Sequence, residues 1–492
     1  MMHRLPATSS IAAAVILMLS TTALGAELDP FAGFDPFSVS LKVAAFPSKN
    51  MIPAGAEEAN PCSFTTLGNP LGLIEAVERA LCNNPQTRQA WAGAKAQAAA
   101  LGVSQSEYLP KVNAQFGVSK QKTNTSYSPV QYNFLDSQSN STVRKGILQI
   151  SLVLTDFGKT SANVDQARAA LDAANATHDA TLQAAFVAAA QAYFDTLTAI
   201  STLDAYREAE KAAKESFMAA SAKYKAGVGT LSDQLQAQTA YSKARLDTVK
   251  ADGELKNAQG TLAATMGLPA NTPVVVVKRN GKLPDTSFVK PVDQLIEEAK
   301  QNHPSMLAAQ AQLSAAQANV RVTKAEGRPS VSLTSEFSRQ AELGATLLGI
   351  KGNPDVTNNS KSIGIQLNIP LFEGFGRHYR TMSAQGQVEV KAAELADTEQ
   401  KVMLEVWKNY QSLSSETENI KMTDDLVQSA QQSYKVGRGR YKAGVGNMLE
   451  LLNTQTELAG AEQKRIQSIS NWHTARLKVA QSIGKLGLWA IQ

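Results

Sequence analysis

Tyr224-Lys-Ala-Gly-Val-Gly229 returns unchanged as Tyr441-Lys-Ala-Gly-Val-Gly446, roughly 217 residues further on, and repetition at a long fixed period marks an internal duplication. Other landmarks recur at nearly the same spacing. Asn84-Pro85 matches His303-Pro304, Leu109-Pro110 matches Arg328-Pro329, and Asp156-Phe157-Gly158 matches Gly374-Phe375-Gly376. Past about Leu71 the chain reads as two copies of one unit, residues 70–286 and 287–492.

Within each copy the hydrophobic period switches, which separates strands from helices. Val112, Ala114, Phe116 and Val118 alternate with polar residues or glycine, and Ile150, Leu152 and Leu154 do so after a Ser/Asn/Thr/Tyr-rich loop. In the second copy Val331, Leu333 and Phe337 mark one strand, and Ile363, Ile365, Leu367, Ile369 and Leu371 form a period-2 run. The pattern predicts two long hairpins, about 111–155 and 330–372, hence four strands.

Each hairpin is followed by a very long helical stretch. Gly158 to about Lys225 has neither proline nor internal glycine, and Gly376 to about Lys435 is interrupted only by Gly386. At 1.5 Å per residue each can extend roughly 90–100 Å. After the repeated turn, return helices run from Leu231 to Met266 and from Met448 to Ile483, giving helical hairpins over about 158–267 and 376–485. Their Ala, Ser, Gln and Thr content lets helices approach closely along weakly hydrophobic faces, so such helices need neighbours of their own kind.

The 492 residues, 43% of them hydrophobic, fit neither a disordered nor a fibrous chain. Arg4, the apolar Ile11 to Leu19 and the small residues of Ala23-Leu24-Gly25-Ala26 read as a signal peptide over 1–25, followed by an N-terminal extension over 26–69. No cysteine follows the cleavage point to carry a lipid, and no later stretch has about 18 uninterrupted apolar residues, so a membrane would be crossed as a β-barrel. The net charge of +5 is spread among acidic residues, and no nucleic-acid partner is expected. Cys62 and Cys82 fall in an oxidising compartment without Cys-x-x-Cys spacing and are expected to form a disulfide that staples the extension to the first helix.

Four strands cannot close a membrane barrel, because single-chain barrels start at about eight, and an open sheet edge is forbidden in hydrocarbon. Several chains must share one barrel. The fold class is an α+β membrane protein.

The order helix, helix, strand, strand, long helix, return helix occurs twice after a signal peptide. With the corners Leu154-Thr-Asp-Phe-Gly158 and Leu371-Phe-Glu-Gly-Phe-Gly376 and the paired Tyr-x-x-Gly turns, it resembles the TolC family of outer-membrane efflux and type I secretion proteins over nearly the whole mature chain. The resemblance implies a homotrimer. Its shared 12-stranded barrel would sit in outer-membrane lipid and continue as a coiled-coil helical barrel into the periplasm. It also implies a periplasmic adaptor and an inner-membrane ABC or proton-driven transporter as partners, with passive conduction and no cofactor. The extension and its cysteine pair resemble members dedicated to type I toxin and adhesin secretion, and the short tail after Leu486 does not resemble that of the general-purpose channel. Multidrug efflux is the alternative.

In that family the paired turns form the periplasmic tip, where the tunnel closes and the adaptor docks. Matched residue by residue, Asp233 falls on an acidic gate position, Tyr441 on the tyrosine that links neighbouring helices, and Glu450 on an acidic position usually filled by Asp. Tyr224, Gly227 and Gly444 belong to the turns themselves. Gly446 stands where the general-purpose channel has a gate arginine, and Asn453 where it has a second aspartate, so the same salt-bridge latch is not expected. Lys225, Lys442 or Arg440 could supply an alternative latch, but charges at a helix end are more often solvated, and that reading is preferred for each. Asp233 and Glu450 also suit a helix N-terminus, where acids favour the dipole. Phe157, Phe372 and Phe375 read either as barrel-rim aromatics at the membrane interface or as corner packing, with packing expected to dominate, and Tyr127, Tyr132 and Phe134 as loop aromatics near an outer girdle.

An enzyme is not expected. His3, His178, His303, His378 and His473 stand alone without ligand spacing and read as surface or packing residues, and no phosphate loop exists. Gly374-Phe-Gly376 lacks the third glycine and the βαβ setting of a dinucleotide site. A periplasmic coiled-coil adaptor or scaffold would share the helical hairpins but not the four alternating strands. A surface adhesin would call for longer, more repetitive loops.

Overall fold

The computed structural model describes residues 35–43, 62, 70–277, 291–343 and 355–486; the expected signal peptide and most of the 26–69 extension lie outside them. In chain order the elements are α1 (Leu73–Asn83), α2 (Pro85–Ser106), β1 (Lys111–Thr125), β2 (Ser137–Thr155), α3 (Lys159–Lys225) and α4 (Leu231–Thr265), then α5 (Val292–Asn302), α6 (Pro304–Ala325), β3 (Ser330–Leu343), β4 (Val356–Asn368), α7 (Gly376–Lys442) and α8 (Met448–Ser482). Corresponding helices are equally long in the two copies, at 11, 22, 67 and 35 residues. The 67-residue helices extend about 100 Å.

The same local chemistry starts each copy. Pro85 and Pro304 take the first helical position, where a missing N–H is harmless. The preceding residue caps the helix: Asn84 Oδ1 accepts from the Gln86 N–H at 2.8 Å and His303 Nδ1 from the Ser305 N–H at 3.2 Å. At the far end of each copy the return helix closes on a left-handed glycine, Gly267 or Gly484, at φ +75° and +70°. A Cβ on either would sit 2.5 Å from the carbonyl oxygen of Asn83 or Asn302, so only glycine lets the return helix meet the first junction.

The strands form one antiparallel sheet in the order β1-β2-β3-β4. Its register sets Val112 opposite Ile150, Ile150 opposite Ser335 and Ser335 opposite Ile363, and directly opposed residues share a face. That face carries Val112, Phe116, Leu148, Leu152, Leu333, Phe337, Ile365 and Leu367, while the other carries Asn113, Gln115, Gln149, Ser151, Thr334 and Gln366. Phe116 is 73% exposed and Ile363 77%, so nothing among the described residues covers the apolar face. One side of the sheet suits lipid and the other water. β4 stops at Asn368, short of the alternation that runs on through Leu371, because Pro370 has no N–H to give the ladder. β1 and β4 each keep one unpaired edge.

Both strand-to-helix corners turn through positive φ, at Phe157 and Gly158 and at Gly374 and Phe375. Asp156 caps the first, its carboxylate accepting from the N–H groups of Gly158, Lys159 and Thr160 at 3.1, 3.0 and 2.7 Å. Partial burial raises its pKa, but these bonds together with the Thr160 hydroxyl outweigh that and hold it below the usual carboxylate range. Arg328 ties the second copy to this corner by donating to the Phe157 carbonyl at 2.6 Å. Phe157, Phe372 and Phe375 are all more than half exposed. Phe372 and Phe375 pack edge-to-face, with ring centroids 5.5 Å apart, and the exposed remainder of all three rings is open to a neighbouring copy or to lipid.

Below the sheet α3 packs on α2 and α6 and then on α4, α7 packs on α6 and α5 and then on α8, and α3 also contacts α8. The wall thus runs α4, α3, α8, α7, with α4 and α7 as its flanks. Its core is mostly alanine studded with Leu182, Phe186, Leu262, Met266 and Leu477, and on the second copy's side with Val406, Trp472 and Val479. Three of the isolated histidines serve packing or capping: His178 is fully buried, His473 stacks on Phe194 with ring centroids 4.5 Å apart, and His303 is the cap described above.

The helical tip as candidate functional site

The two chain reversals have one backbone. Gly227 and Gly444 are left-handed at φ +73° and +80°. Val228 N–H bonds the Lys223 carbonyl and Gly227 N–H that of Tyr224, both at 3.0 Å; Val445 and Gly444 repeat this onto Arg440 and Tyr441 at 3.0 and 3.2 Å. This is the Schellman closure, which requires the glycine. The return helices then start on matching caps: Thr230 Oγ1 accepts from the Asp233 N–H at 3.1 Å and Asn447 Oδ1 from the Glu450 N–H at 2.7 Å. Asp233 and Glu450 are therefore the same position, three residues into a helix whose N-terminus favours an acid.

Side chains break the equivalence. Tyr224 is 42% exposed, whereas Tyr441 is 7% exposed, packed with Ala220 of α3, Ala237 of α4, and Met448 and Leu451 of α8. Lys223 reaches across from α3, its Nζ 4.1 Å from the centroid of the Tyr441 ring and 3.2 Å from the Tyr441 carbonyl oxygen. Burial pushes the Tyr441 phenol up, and the Asp233 carboxylate adds to the shift. So Asp233 and Tyr441, from different copies, share one site.

Glu450 pairs with Arg440, Nε to Oε1 at 3.1 Å, and Arg440 also donates to the Val445 carbonyl at 3.4 Å. This corrects the reading of Arg440 as solvated: the reversal lays the last turn of α7 against the first turn of α8. Lys225 and Lys442 stay exposed, with no ion pair among the described residues. A Cβ on Gly446 would lie 2.9 Å from Arg440 Cβ and 3.1 Å from the Tyr441 nitrogen, so no larger residue fits unless Arg440 moves. The cation that meets Glu450 comes from position 440. Asn453 is exposed on α8.

Further from the turns, Arg438 pairs with Glu215 at 3.6 Å, Gln455 donates to the Ala209 carbonyl at 3.2 Å, and the Tyr206 hydroxyl donates to Gln463 at 3.3 Å, stitching one helical hairpin to the other. Lys223 was not singled out from sequence, although a signal existed: a basic residue precedes each turn tyrosine, as Lys223-Tyr224 and Arg440-Tyr441. Cys62 and Cys82 are bonded, with Cα atoms 5.4 Å apart, which ties the extension to the last turn of α1.

A sheet with one apolar face and two free edges, standing on helices about 100 Å long that end in a packed reversal, defines a subunit of an outer-membrane channel with a barrel above and a helical tunnel below. Residues 76–268 and 295–485 match the outer membrane efflux protein family, one match per copy, and the chain belongs to that family. It is 30% identical over 421 residues to Protein CyaE of Bordetella pertussis, covering 85% of each chain. It is 22% identical over 428 residues to outer membrane protein TolC of Escherichia coli, covering 86% of this chain and 84% of that one. In fold it is similar to the outer membrane protein VceC of Vibrio cholerae, with a TM-score of 0.70 at 20% identity over 84% of this chain and 96% of that one. The CmeC outer membrane channel of Campylobacter jejuni gives 0.71 at 18% identity, over 89% and 94%. The chain is an outer-membrane protein whose helices extend into the periplasm, a channel component of the outer membrane efflux family.

Proposed function

We propose that three copies close one conduit through the outer membrane, each giving four strands to a shared barrel and four long helical segments to the tunnel. The supporting observation is that sheet and helical wall are unfinished at the same two borders. β4 and β1 have free edges, and the flanking helices carry apolar residues that no described part of the chain covers. On α4 Leu231, Leu235, Leu246 and Val249 fall on one side at helical spacing, 50–70% exposed; on α7 Leu404, Trp407, Met422 and Leu426 do the same at 41–57%. Joining α7 of one copy to α4 of the next, with β4 against β1, satisfies both borders at once.

The conduit is passive and catalyses no reaction; an inner-membrane transporter and a periplasmic adaptor supply energy and cargo. The tip, with Tyr441, Lys223, Asp233 and the Arg440–Glu450 pair, is the closing element, and the adaptor docks against the reversals. Type I protein secretion is the favoured cargo class, supported by the disulfide-tied extension and by greater identity to CyaE than to TolC. Oligomer mass in detergent and planar-bilayer conductance test the assembly: trimers with discrete pores are expected, and a soluble, pore-free oligomer would overturn it. Expressing the chain in a host that lacks its own channel and scoring export of a type I substrate against drug resistance separates the two cargo classes.

A further inference from the structure

We infer that the outer end of the barrel carries a cationic girdle that binds the phosphate groups of outer-leaflet lipid. Lys120 and Arg339 are the same position in the two copies, at the spacing of Pro110 and Pro329; Arg144 and Lys361 are likewise equivalent, at the spacing of Tyr224 and Tyr441. Each strand thus has one of these four. All lie on the apolar face, since Arg144 is opposite Val118 and Lys361 is opposite Phe337, and all are exposed.

Register shows that they stand at one height. Val112 and Val331 are equivalent, yet Val112 is level with Ser335 through Ile150, so the second copy is displaced by four residues over two strands. Strand tilt in a closed barrel demands such a stagger, two residues per strand. Following it, Lys120 opposes Thr142, two residues from Arg144; Arg144 opposes Ala341, two from Arg339; and Arg339 opposes Asn359, two from Lys361. The line circles the barrel and, repeated in each protomer, leaves a cation on every strand, with Lys122 adding a second on the same face of β1, two residues nearer the loop.

Sign and position both favour phosphate. The only carboxylates in the strands, Glu336 and Glu342, face the opposite side of the sheet, and none of the four cations is paired with a carboxylate among the described residues. Val118, Phe337 and Ile363 lie directly below the ring, and the loop between β1 and β2, far from the periplasmic helices, lies above it. At the other end of the apolar belt no strand carries a basic residue on this face: Lys111 faces the other way, and Val112, Leu154, Val331 and Leu367 occupy the positions. Snorkelling alone would place cations at both borders. On the strands themselves, cations confined to the outer end of the apolar face match a leaflet whose headgroups are rich in phosphate, where each Lys or Arg adds attraction and arginine can bind phosphate through two N–H groups.

The inference rests on the closed barrel proposed above. The test reconstitutes the full chain into phosphatidylcholine vesicles containing either bis-phosphorylated lipid A or the same glycolipid with its phosphates removed, and follows heat dissociation of the trimer. The phosphorylated lipid should raise the midpoint by several degrees, less so at high salt, and inorganic phosphate should not reproduce the shift. Replacing Lys120, Lys122, Arg144, Arg339 and Lys361 with Gln should abolish it; Arg144→Gln with Lys361→Gln should remove a large part, and Lys145→Gln, on the inner face, none. No shift in the wild type, or an undiminished shift in the double variant, overturns the girdle. Conductance in the same membranes separates the failures: pores without a lipid shift reject the girdle alone, and absent pores reject the closed barrel.

Discussion

Truncating Tyr441 to Ala should open the tip far more than removing the Arg440–Glu450 ion pair. Opening must part the ring from Ala220 and Lys223 on α3, and the ring is 7% exposed when closed. Exposing a side chain of that size costs about 1.5–3 kcal/mol, and losing the cation above it about 0.5–1 kcal/mol more. Together these hold each chain closed by about 2–4 kcal/mol, roughly thirtyfold to several-hundredfold at a tenfold change per 1.4 kcal/mol. The Arg440–Glu450 pair is 52% and 37% exposed, and such pairs contribute about 0.2–1 kcal/mol. Open probability and conductance of single channels in planar bilayers are the readout. Tyr441→Ala should give persistently larger conductance, Glu450→Gln a shift of less than about fivefold, and Tyr224→Ala, at the equivalent exposed position, almost none. Opening by Glu450→Gln equal to that by Tyr441→Ala would refute the ranking. Tyr441→Phe is a further control: its hydroxyl has no hydrogen-bond partner among the described residues, so any opening it causes reports a contact with a neighbouring protomer.

Other expected outcomes concern stability. Cys82→Ser should lower stability by about 3 kcal/mol, the loop-closure value for a 20-residue separation, measured by denaturant unfolding with and without reductant. Gly484→Ala forces a Cβ to 2.5 Å from the Asn302 carbonyl at φ +70° and should cost more than about 1 kcal/mol, seen as a lower melting temperature; a neutral result would mean the α5–α6 junction can slide. Burial holds the His303 imidazole below the usual histidine range, and its Nδ1 can accept from Ser305 only when unprotonated. Stability from this cap is therefore complete above about pH 6.5 and is lost as pH falls below it towards the folded-state pKa. His303→Asn, which copies Asn84, should flatten melting temperature against pH between 8 and 5, although His178, also shifted down by burial, leaves a residual slope.

The elements were legible because backbone chemistry is written locally. The Tyr-Lys-Ala-Gly-Val-Gly turn fixes a Schellman end, the junction prolines fix helix starts, and strict alternation fixes strand faces. Even the one misread strand end had a local cause in Pro370. The tip was harder because its decisive contacts join residues more than 200 positions apart. Nothing beside Tyr441 announces that Lys223 lies over it, nor does identity between the two turns reveal that Tyr224 is exposed while its twin is buried. Arg440 was read as solvated because a helix-end cation usually is, and only the fold of the reversal brings Glu450 within 3.1 Å. The exposed corner phenylalanines depend on a membrane and neighbouring copies, which one chain's pattern does not place.

That asymmetry between twin turns bears on how such a gate can be worked. In a trimer the tip has six reversals with one backbone, but only the three that contain Tyr441 hold a buried ring under a lysine. Had all six been locked, concerted opening would require roughly twice the free energy. With three, at about 2–4 kcal/mol each, the closed ring is held by about 6–12 kcal/mol. Binding free energies of about 8 to 12 kcal/mol correspond to micromolar to nanomolar partners. A partner that engages only the open arrangement with such an affinity can invert the equilibrium without any chemistry in the channel, because the shift it produces is set by its differential affinity for the two states. If the tip closes the tunnel as proposed above, the divergence between the twin turns keeps the closing free energy within reach of docking, and the first turn, with Tyr224 outward, is the one free to present a surface.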